Sequence, residues 1–403
     1  MSEMFQQLNL FNEGKDYYKI NKPIRLIELF AGIGAQAKAL EILGVPFEHY
    51  KICEWAVPSI KAYNSIHIKD FNDYSKDLSK EQLMDYLDGN ISTNYSDPCN
   101  VRKQNEKWLR DVYNNCIATH NLMNIMKAKG SDLEIVDTDK YCYIMTYSFP
   151  CQDLSLAGTR KGMETSQADG GTRSGLLWEC ERILDELNRE REREHSSLPQ
   201  ILLMENVPEV IGAGNVKHFN KWLAKLESLG YSNYFHILNA KDFGVPQNRR
   251  RCFMVSILGD FAYDFPLKIK LKYRLKDFLE KKVDEKYYLS EKMINYITAT
   301  NEKWTGNNSG ALVNRTAACT INTAPTQRRC DASDYIADDL PENTDLRQIK
   351  LGNYGNGHHA KDIVSSDGIS TTITTGNHGL GHAIVDDKLS GGVAYNGKHK
   401  TRL

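Results

Sequence analysis

IRLIELFAGIG, residues 24–34, is the stretch that decides the fold of this chain. The apolar run Ile24–Phe30 is typical of a buried parallel strand, and residues 31–34 predict a tight glycine turn. Ala35–Leu43 follows with the spacing of an amphipathic helix. Strand, glycine turn and helix open a nucleotide-binding α/β unit, although the third glycine of the dinucleotide fingerprint is absent.

A second strand and a polar pair follow at the spacing that such a unit requires. Tyr50–Cys53 predicts the strand, and Glu54 comes about 20 residues after the glycine turn. A carboxylate at that position can hold the hydroxyl pair of a ribose. Trp55 beside it can stack on an adenine ring or pack in the core, and the sequence leaves both open.

A thiol follows the strand that is expected at the centre of the sheet. Tyr141–Thr146 predicts this strand, and Cys151 lies in the loop after it, where an α/β sheet binds its ligand. Cysteine is often a small buried hydrophobe. A thiol that directly follows Pro150 at this edge is also a candidate covalent nucleophile, so other residues have to decide between the two interpretations.

Two further predicted strands adjoin polar side chains. Ile201–Met204 is followed directly by Glu205, and Cys252–Ile257 is preceded by the cluster Arg249–Arg251. Ligand-binding groups of open α/β sheets gather at one edge. We therefore expect Cys151, Glu205 and the arginine cluster to share a site.

Composition excludes several classes of protein. The formal net charge of the 403 residues is -1, so a polyanion needs a local patch, and Lys241–Arg274 holds eight cations against three anions. The nine cysteines contain no C-x-x-C pair, which argues against a zinc site and a disulfide framework. No apolar stretch approaches the roughly 18 residues of a membrane helix. We therefore expect a soluble cytoplasmic protein that holds no metal.

Two regions differ in character from the α/β core. Residues 79–137 are polar and largely helical in pattern, and we interpret them as an insertion after a short third strand near Tyr74–Leu78. From residue 263 asparagine, glycine and threonine become frequent and helical periodicity fades, which favours irregular β structure. The prediction is an α/β domain over residues 1–262 and a smaller β-rich domain over residues 263–403.

Together these motifs resemble those of the C5-cytosine DNA methyltransferases. They occur in the family's order and are Phe30–Gly34, Glu54-Trp55, Pro150-Cys151-Gln152, Glu205-Asn206-Val207 and Gln247-x-Arg249-x-Arg251. The resemblance implies a Rossmann-like class I methyltransferase fold, with a mostly parallel sheet of seven strands and a smaller β-rich target-recognition domain. It also implies S-adenosylmethionine as the cofactor, double-stranded DNA as the partner and, in a prokaryote, association with the nucleoid.

The resemblance also implies roles for individual residues. The implied cofactor contacts are Phe30, Ala31, Gly32, Ile33, Gly34, Glu54, Trp55, Asp77, Pro150 and Leu176. The implied catalytic residues are Cys151, Glu205, Arg249 and Arg251. Cys151 would attack C6 of a flipped-out cytosine, Glu205 would offset charge at N3, and the arginines would hold the O2 side. C5 would then accept the methyl group, and loss of its proton would release the thiol.

One part of the family's pattern is missing from this sequence. A supporting motif and a final helix with a cofactor contact are expected after the recognition region, and the sequence up to Leu403 contains neither. Three interpretations stay open: a truncated product, one half of a split enzyme completed by a second polypeptide, and a methyltransferase with a divergent end. The competing functions are a tRNA cytosine-C5 methyltransferase and a catalytically weak DNA-binding relative. Whether a cognate restriction endonuclease exists also stays open.

Overall fold

The computed structural model describes residues 14–150, 173–191, 197–274 and 277, and beyond these only the backbone of short strands. The helices are α1 (Ala35–Ile42), α2 (Val57–Tyr63), α3 (Lys80–Leu87), α4 (Glu106–Ala118), α5 (Leu177–Arg191) and α6 (Val216–Ser228). A π-helix, Asn64–Ile68, continues α2. The 3-10 helices are Val101–Lys103, Gly130–Leu133, Arg173–Leu176, Pro208–Ile211 and Ala240–Phe243.

A sheet of six strands forms the centre of the α/β part. Its strands are β1 (Ile24–Leu29), β2 (Phe47–Cys53), β3 (Cys142–Tyr147), β4 (Ile201–Asn206), β5 (Tyr231–Asn239) and β6 (Arg250–Leu258), in the spatial order β2-β1-β3-β4-β6-β5. The first four run parallel, and β6 is antiparallel to β4. The carboxyl ends of β1 to β4 therefore lie at one edge of the sheet.

The expected third strand is absent from the described residues, so the sheet has six strands rather than seven. Residues 74–77 form a turn instead, and Leu78 has no regular secondary structure. The carboxylate of Asp73 accepts the backbone N–H of Ser75 at 2.9 Å, and the guanidinium of Arg110 donates to the carbonyls of Ser75 and Leu78. Side chains thus satisfy backbone groups that a strand would offer to β2, and β2 becomes an edge strand.

Two hydrophobic clusters support the structure around the sheet. The larger one packs α5 and α6 against it, and Trp222 is fully buried there with its indole N–H donating to the Tyr147 hydroxyl at 3.1 Å. The smaller one joins α2, α3 and α4 through Leu83, Leu109 and Val112. The helices of residues 79–137 therefore share with α2 a core that is separate from the larger cluster.

The chain divides into two compact units. Of the described residues, the first unit contains 14–150, 173–191, 197–236 and 252–265, and the second contains 237–251 and those from 266 onward. Short strands in the second unit form a four-stranded and a three-stranded sheet. These strands are β7 (Tyr287–Tyr288), β8 (Asn314–Thr316), β9 (Arg347–Asn353), β10 (Asp362–Ser365), β11 (Ala383–Val385), β12 (Val393–Asn396) and β13 (His399–Arg402). The domain boundary at residue 262 stays a prediction.

Candidate active site

The glycine turn after β1 is closely packed against the residues beneath it. Phe30, Gly32 and Gly34 all have positive φ angles, of 56°, 56° and 79°. A Cβ atom on Gly34 would lie 2.4 Å from Nε2 of His67 and 2.7 Å from the Tyr63 ring, so no larger residue fits there. The backbone N–H of Phe30 donates to the carbonyl of Cys53 at 2.8 Å, which joins the turn to the end of β2.

Glu54 connects the turn to the segment after β2. Its carboxylate accepts the backbone N–H of Gly32 at 2.8 Å and that of Ala56 at 2.7 Å. Burial raises the pKa of Glu54, and the N–H groups of Ala56, Gly32 and Trp55 oppose the shift. A carboxylate offers about four acceptor positions, so these three N–H groups leave capacity for a further donor.

A cavity of about 220 Å³ opens beside Glu54. Its lining residues are Phe30, Cys53, Glu54, Trp55, Tyr95, Met123, Asn124, Ile125, Met126, Ser148, Pro150 and Leu176. Five of these are cofactor contacts implied by the sequence, namely Phe30, Glu54, Trp55, Pro150 and Leu176. The tertiary structure therefore brings together residues that lie up to 146 positions apart in the chain.

Seven lining residues are not among the cofactor contacts implied by the sequence: Cys53, Ser148 and five residues within 79–137. Tyr95 and the run Met123–Met126 come from this region, which the sequence predicts only as a largely helical insertion. Tyr95 and Met123 have positive φ angles of 65° and 61°. This conformation is uncommon for residues other than glycine, and it occurs preferentially at functional sites. The available signal was weak: Asn121 and Asn124 interrupt an apolar segment that has no helical or strand periodicity.

The structure does not bring Asp77 to the cavity. Asp77 is exposed in the turn that replaces the expected third strand, and it does not line the cavity. Asn124 lines it instead: its side chain is buried, donates to the Gly89 carbonyl at 2.9 Å and accepts the N–H of Met126 at 3.1 Å. The assignment of Asp77 depended on a strand that the described residues do not form.

Three side chains hold the segment that leads to Cys151. The amide of Gln36 donates to the Ser148 hydroxyl at 3.0 Å, that of Asn206 to the Phe149 carbonyl at 3.1 Å, and the hydroxyl of Ser174 to the Pro150 carbonyl at 2.8 Å. They come from α1, from the end of β4 and from the 3-10 helix before α5. Cys151 itself lies outside the described residues.

The remaining predicted catalytic residues belong to two strands. Glu205 is half-buried in β4, opposite Phe253 in the antiparallel register with β6. Arg249 and Arg251 belong to the second unit, immediately before and within the start of β6. Their roles in catalysis stay predictions.

Comparison with known proteins gives the family. The model for C-5 cytosine-specific DNA methylases matches residues 93–366, which is more than half of the chain. The chain belongs to this family. It is 39% identical over 301 residues to the orphan methyltransferase M.SssI of Spiroplasma monobiae, covering 72% of this chain and 74% of that protein.

A second relative and a solved structure are also similar to this chain. The type II methyltransferase M2.ScrFI of Lactococcus lactis subsp. cremoris is 38% identical over 278 residues, covering 67% of this chain and 71% of the relative. The solved structure of S. pombe Dnmt2 matches at a TM-score of 0.40 with 16% identity, covering 67% of this chain and 64% of that one, a likeness too weak to carry an argument.

The chain is thus a DNA methyltransferase that depends on S-adenosylmethionine, as predicted. Within the described part of the chain, none of the helices has the length and apolar character needed to cross a membrane.

Proposed function

We propose that this enzyme transfers a methyl group from S-adenosylmethionine to C5 of a cytosine flipped out of a specific duplex DNA site, through a covalent bond between Cys151 and C6. The observation that carries the proposal is the composition of the cavity. Its lining includes Glu54 and Trp55, the implied cofactor contacts, together with Pro150, the residue directly before Cys151. Cofactor and nucleophile would thus meet at one edge of the sheet.

The residues of the cavity fit S-adenosylmethionine. Trp55, Phe30 and Leu176 provide aromatic and aliphatic surface for a purine, and the Glu54 carboxylate retains acceptor capacity for a ribose hydroxyl. Asn124 offers a polar group within the same lining. When bound, the cofactor supplies an electrophilic methyl group on a sulfonium.

Covalent catalysis would make C5 of cytosine nucleophilic. The thiolate of Cys151 attacks C6 and forms a carbon–sulfur bond, while the electron pair of the C5–C6 double bond moves toward C5 and the ring nitrogen N3. Glu205 stabilises the ring at N3, and Arg249 and Arg251 hold the O2 side. After C5 gains the methyl group, its proton leaves to solvent and the carbon–sulfur bond breaks, which returns the thiolate.

The structure supports this role through the residues that precede the thiol. Gln36, Asn206 and Ser174 bond to three consecutive residues, 148–150, from three different elements. Backbone that is held in this way reduces the loss of orientational freedom when the nucleophile meets the base. We assign positioning roles to these three side chains.

We assign target recognition to the second unit. Lys268, Lys270 and Lys272 are exposed there, and Lys268 forms an ion pair with Asp242 at 2.8 Å. Exposed cations of this kind neutralise phosphates and would give DNA binding a strong salt dependence. The names of the relatives, which describe DNA methyltransferases, favour DNA over tRNA as the substrate.

Covalent trapping tests the proposal directly. A 5-fluorocytosine base cannot lose its C5 substituent as a proton, so the wild-type chain with S-adenosylmethionine should form a stable adduct with duplex DNA that contains it. Cys151→Ser should form none, while Ser155→Ala serves as a matched control from the same segment and should still react. Bisulfite sequencing of DNA from expressing cells would then give the target site.

Each contrary outcome of this experiment has a distinct meaning. An adduct with tRNA but not with DNA would establish the competing tRNA activity. An adduct that forms in both the wild type and Cys151→Ser would refute the assigned nucleophile. No adduct from wild-type chain that binds both S-adenosylmethionine and DNA would refute the proposed activity in favour of a DNA-binding relative. A second polypeptide and a cognate restriction endonuclease stay predictions.

A further inference from the structure

A buried amide joins two segments that line the cavity. Asn121 follows α4 and is 5% exposed, and its Nδ2 donates to the carbonyl oxygen of Glu54 at 2.9 Å. Its Oδ1 accepts the backbone N–H of Glu54 at 3.0 Å and that of Met123 at 2.8 Å. Glu54 and Met123 both line the cavity, whereas Asn121 does not. One side chain behind the cavity thus fixes the backbone of two of its lining residues.

Asn121 lies on the free side of β2, where the expected third strand would pair. The N–H of Leu122 donates to the Ile52 carbonyl at 2.8 Å, and the N–H of Ile52 donates to the His120 carbonyl at 3.4 Å. These bonds belong to an isolated parallel bridge between Ile52 and Asn121. At Glu54, past the end of β2, the Asn121 side chain supplies the donor and the acceptor that a neighbouring strand would offer.

The bond from Asn121 also supports an uncommon backbone conformation. Met123 has a φ of 61°, in the left-handed region that favours glycine. Its N–H donates to Asn121, and its carbonyl accepts the thiol of Cys53 at 3.4 Å. A residue in this region persists where the surrounding structure holds it. The conformation of Met123 therefore sets the course of the lining segment, Met123–Met126, that begins with it.

An arginine holds the other end of the lining segment. Nη2 of Arg182 in α5 donates to the carbonyl of Ile125 at 2.9 Å and to that of Ala128 at 2.7 Å. Its Nε and Nη1 donate to Glu179 and Glu186 of the same helix, each at 2.8 Å. All three nitrogens of the planar guanidinium are thus fixed, and Arg182 does not line the cavity itself.

We propose that Asn121 and Arg182 are positioning residues that hold Glu54 and the lining segment in the arrangement that binds S-adenosylmethionine. Without the Asn121 amide, the buried N–H and carbonyl of Glu54 lose their partners, so the backbone must turn to find others. The carboxylate assigned to the ribose and the lining segment would then leave their binding geometry. The inference rests on the proposed assignment of the cavity to the cofactor.

Calorimetric titration of the full chain with S-adenosylmethionine tests the role of Asn121. Asn121→Ala should raise the Kd by about tenfold, the size expected when buried backbone groups lose their partner. Asn64→Ala is the matched control, because Asn64 is 1% exposed and its side chain also pairs with the N–H and the carbonyl of one residue, Asp70, at 3.2 Å and 2.7 Å. Neither Asn64 nor Asp70 lines the cavity, so this variant should keep the wild-type Kd.

A second pair of variants keeps the inference testable if Asn121→Ala does not fold. Arg182→Lys keeps the charge but offers one nitrogen in place of three, and should raise the Kd by about fivefold. Arg110→Lys is its control, since the Arg110 side chain is 28% exposed against 32% for Arg182. Arg110 also donates to two carbonyls, those of Ser75 and Leu78, but these lie outside the cavity lining, so the Kd should not change.

Hydrogen exchange gives a readout that a purely structural role would not change. In Asn121→Ala the amides of residues 119–128 should exchange faster than in the wild type. Saturating S-adenosylmethionine should restore most of their protection, because the cofactor selects the arrangement that the Asn121 amide otherwise holds. In Asn64→Ala the amides of residues 64–72 should exchange faster to the same extent with and without the cofactor.

The outcomes separate this inference from the site assignment. A wild-type Kd in Asn121→Ala or in Arg182→Lys would overturn the role of that residue, and so would an equal rise in Kd in its control variant. Exchange at residues 119–128 of Asn121→Ala that the cofactor does not slow would also overturn the role of Asn121. A Trp55→Ala variant that binds the cofactor as tightly as the wild type would instead refute the cavity as the cofactor site. Urea unfolding of each variant checks that the compared chains are folded.

Discussion

Substitution of Gly34 by alanine should destabilise the protein through two separate effects. The residue has a φ of 79°, and a left-handed conformation costs a residue with a side chain about 1–2 kcal/mol. In addition, the new Cβ would lie 2.4 Å from Nε2 of His67 and 2.7 Å from the Tyr63 ring. Both side chains are hydrogen-bonded, so moving them away disturbs those bonds, and such overpacking costs about 1–3 kcal/mol.

The expected loss for Gly34→Ala is therefore about 2–5 kcal/mol in the free energy of unfolding. Gly44 provides a matched control, because it has a φ of 68° and a Cβ on it would meet nothing within 4 Å. Gly44→Ala should lose only the conformational part, about 1–2 kcal/mol. Urea unfolding followed by tryptophan fluorescence measures both variants under one set of conditions.

Gly32 separates stability from cofactor binding in the same turn. A Cβ on Gly32 also meets nothing within 4 Å, and its φ is 56°. Gly32→Ala should resemble Gly44→Ala in stability, but should weaken binding of S-adenosylmethionine. A side chain strains the φ of this residue and displaces the backbone N–H that orients Glu54. Equal losses of stability in Gly34→Ala and Gly44→Ala would refute the argument from close packing against His67 and Tyr63.

Two further predictions concern the cavity wall and the second unit. Tyr95→Ala should raise the Kd for S-adenosylmethionine by about tenfold through loss of aromatic surface. Tyr95→Phe should bind normally, because the Tyr95 hydroxyl lies 3.5 Å from the Ser59 hydroxyl, at the limit of a hydrogen bond. A Tyr95→Ala variant with the wild-type Kd would exclude this wall from the site. In the double variant Lys270→Ala and Lys272→Ala, the plot of log DNA affinity against log salt concentration should have a slope smaller by about two, with the methylated sequence unchanged. An unchanged slope would remove these lysines from the DNA-binding surface.

The sequence predicted most of the sheet because its strands are buried and parallel. Such strands are continuous apolar runs, and the polar residue that ends each run marks the carboxyl edge. Ile24–Leu29 and Cys142–Tyr147 lie within one residue of their predicted positions at each end. The sequence did not predict β5 or α6. Most residues of β5, Tyr231–Asn239, are only partly buried, so this strand has no clear pattern of alternating burial.

The third strand was predicted wrongly for a local reason. Residues 74–78 follow the helix α2 at the right distance for a strand, but Asp73 and Arg110 take up their backbone hydrogen-bonding groups. Asp77 consequently lies in an exposed turn instead of at a strand end. The side chain of Arg110 takes the backbone carbonyls that a strand would offer to the sheet. Arg110 is distant in sequence and reaches this turn only when α4 has packed.

The sequence by itself determined the family, the nucleotide-binding opening unit and the cofactor-loop, carboxylate and thiol motifs, because these depend on residue type and short spacing. Only the tertiary structure decided that Tyr95 and Met123–Met126 line the cavity and that the buried amide of Asn121 joins this lining to Glu54. The physical reason is that both arise from contacts between elements distant in the chain. The packing of α2, α3 and α4 places those elements, and no local pattern records it.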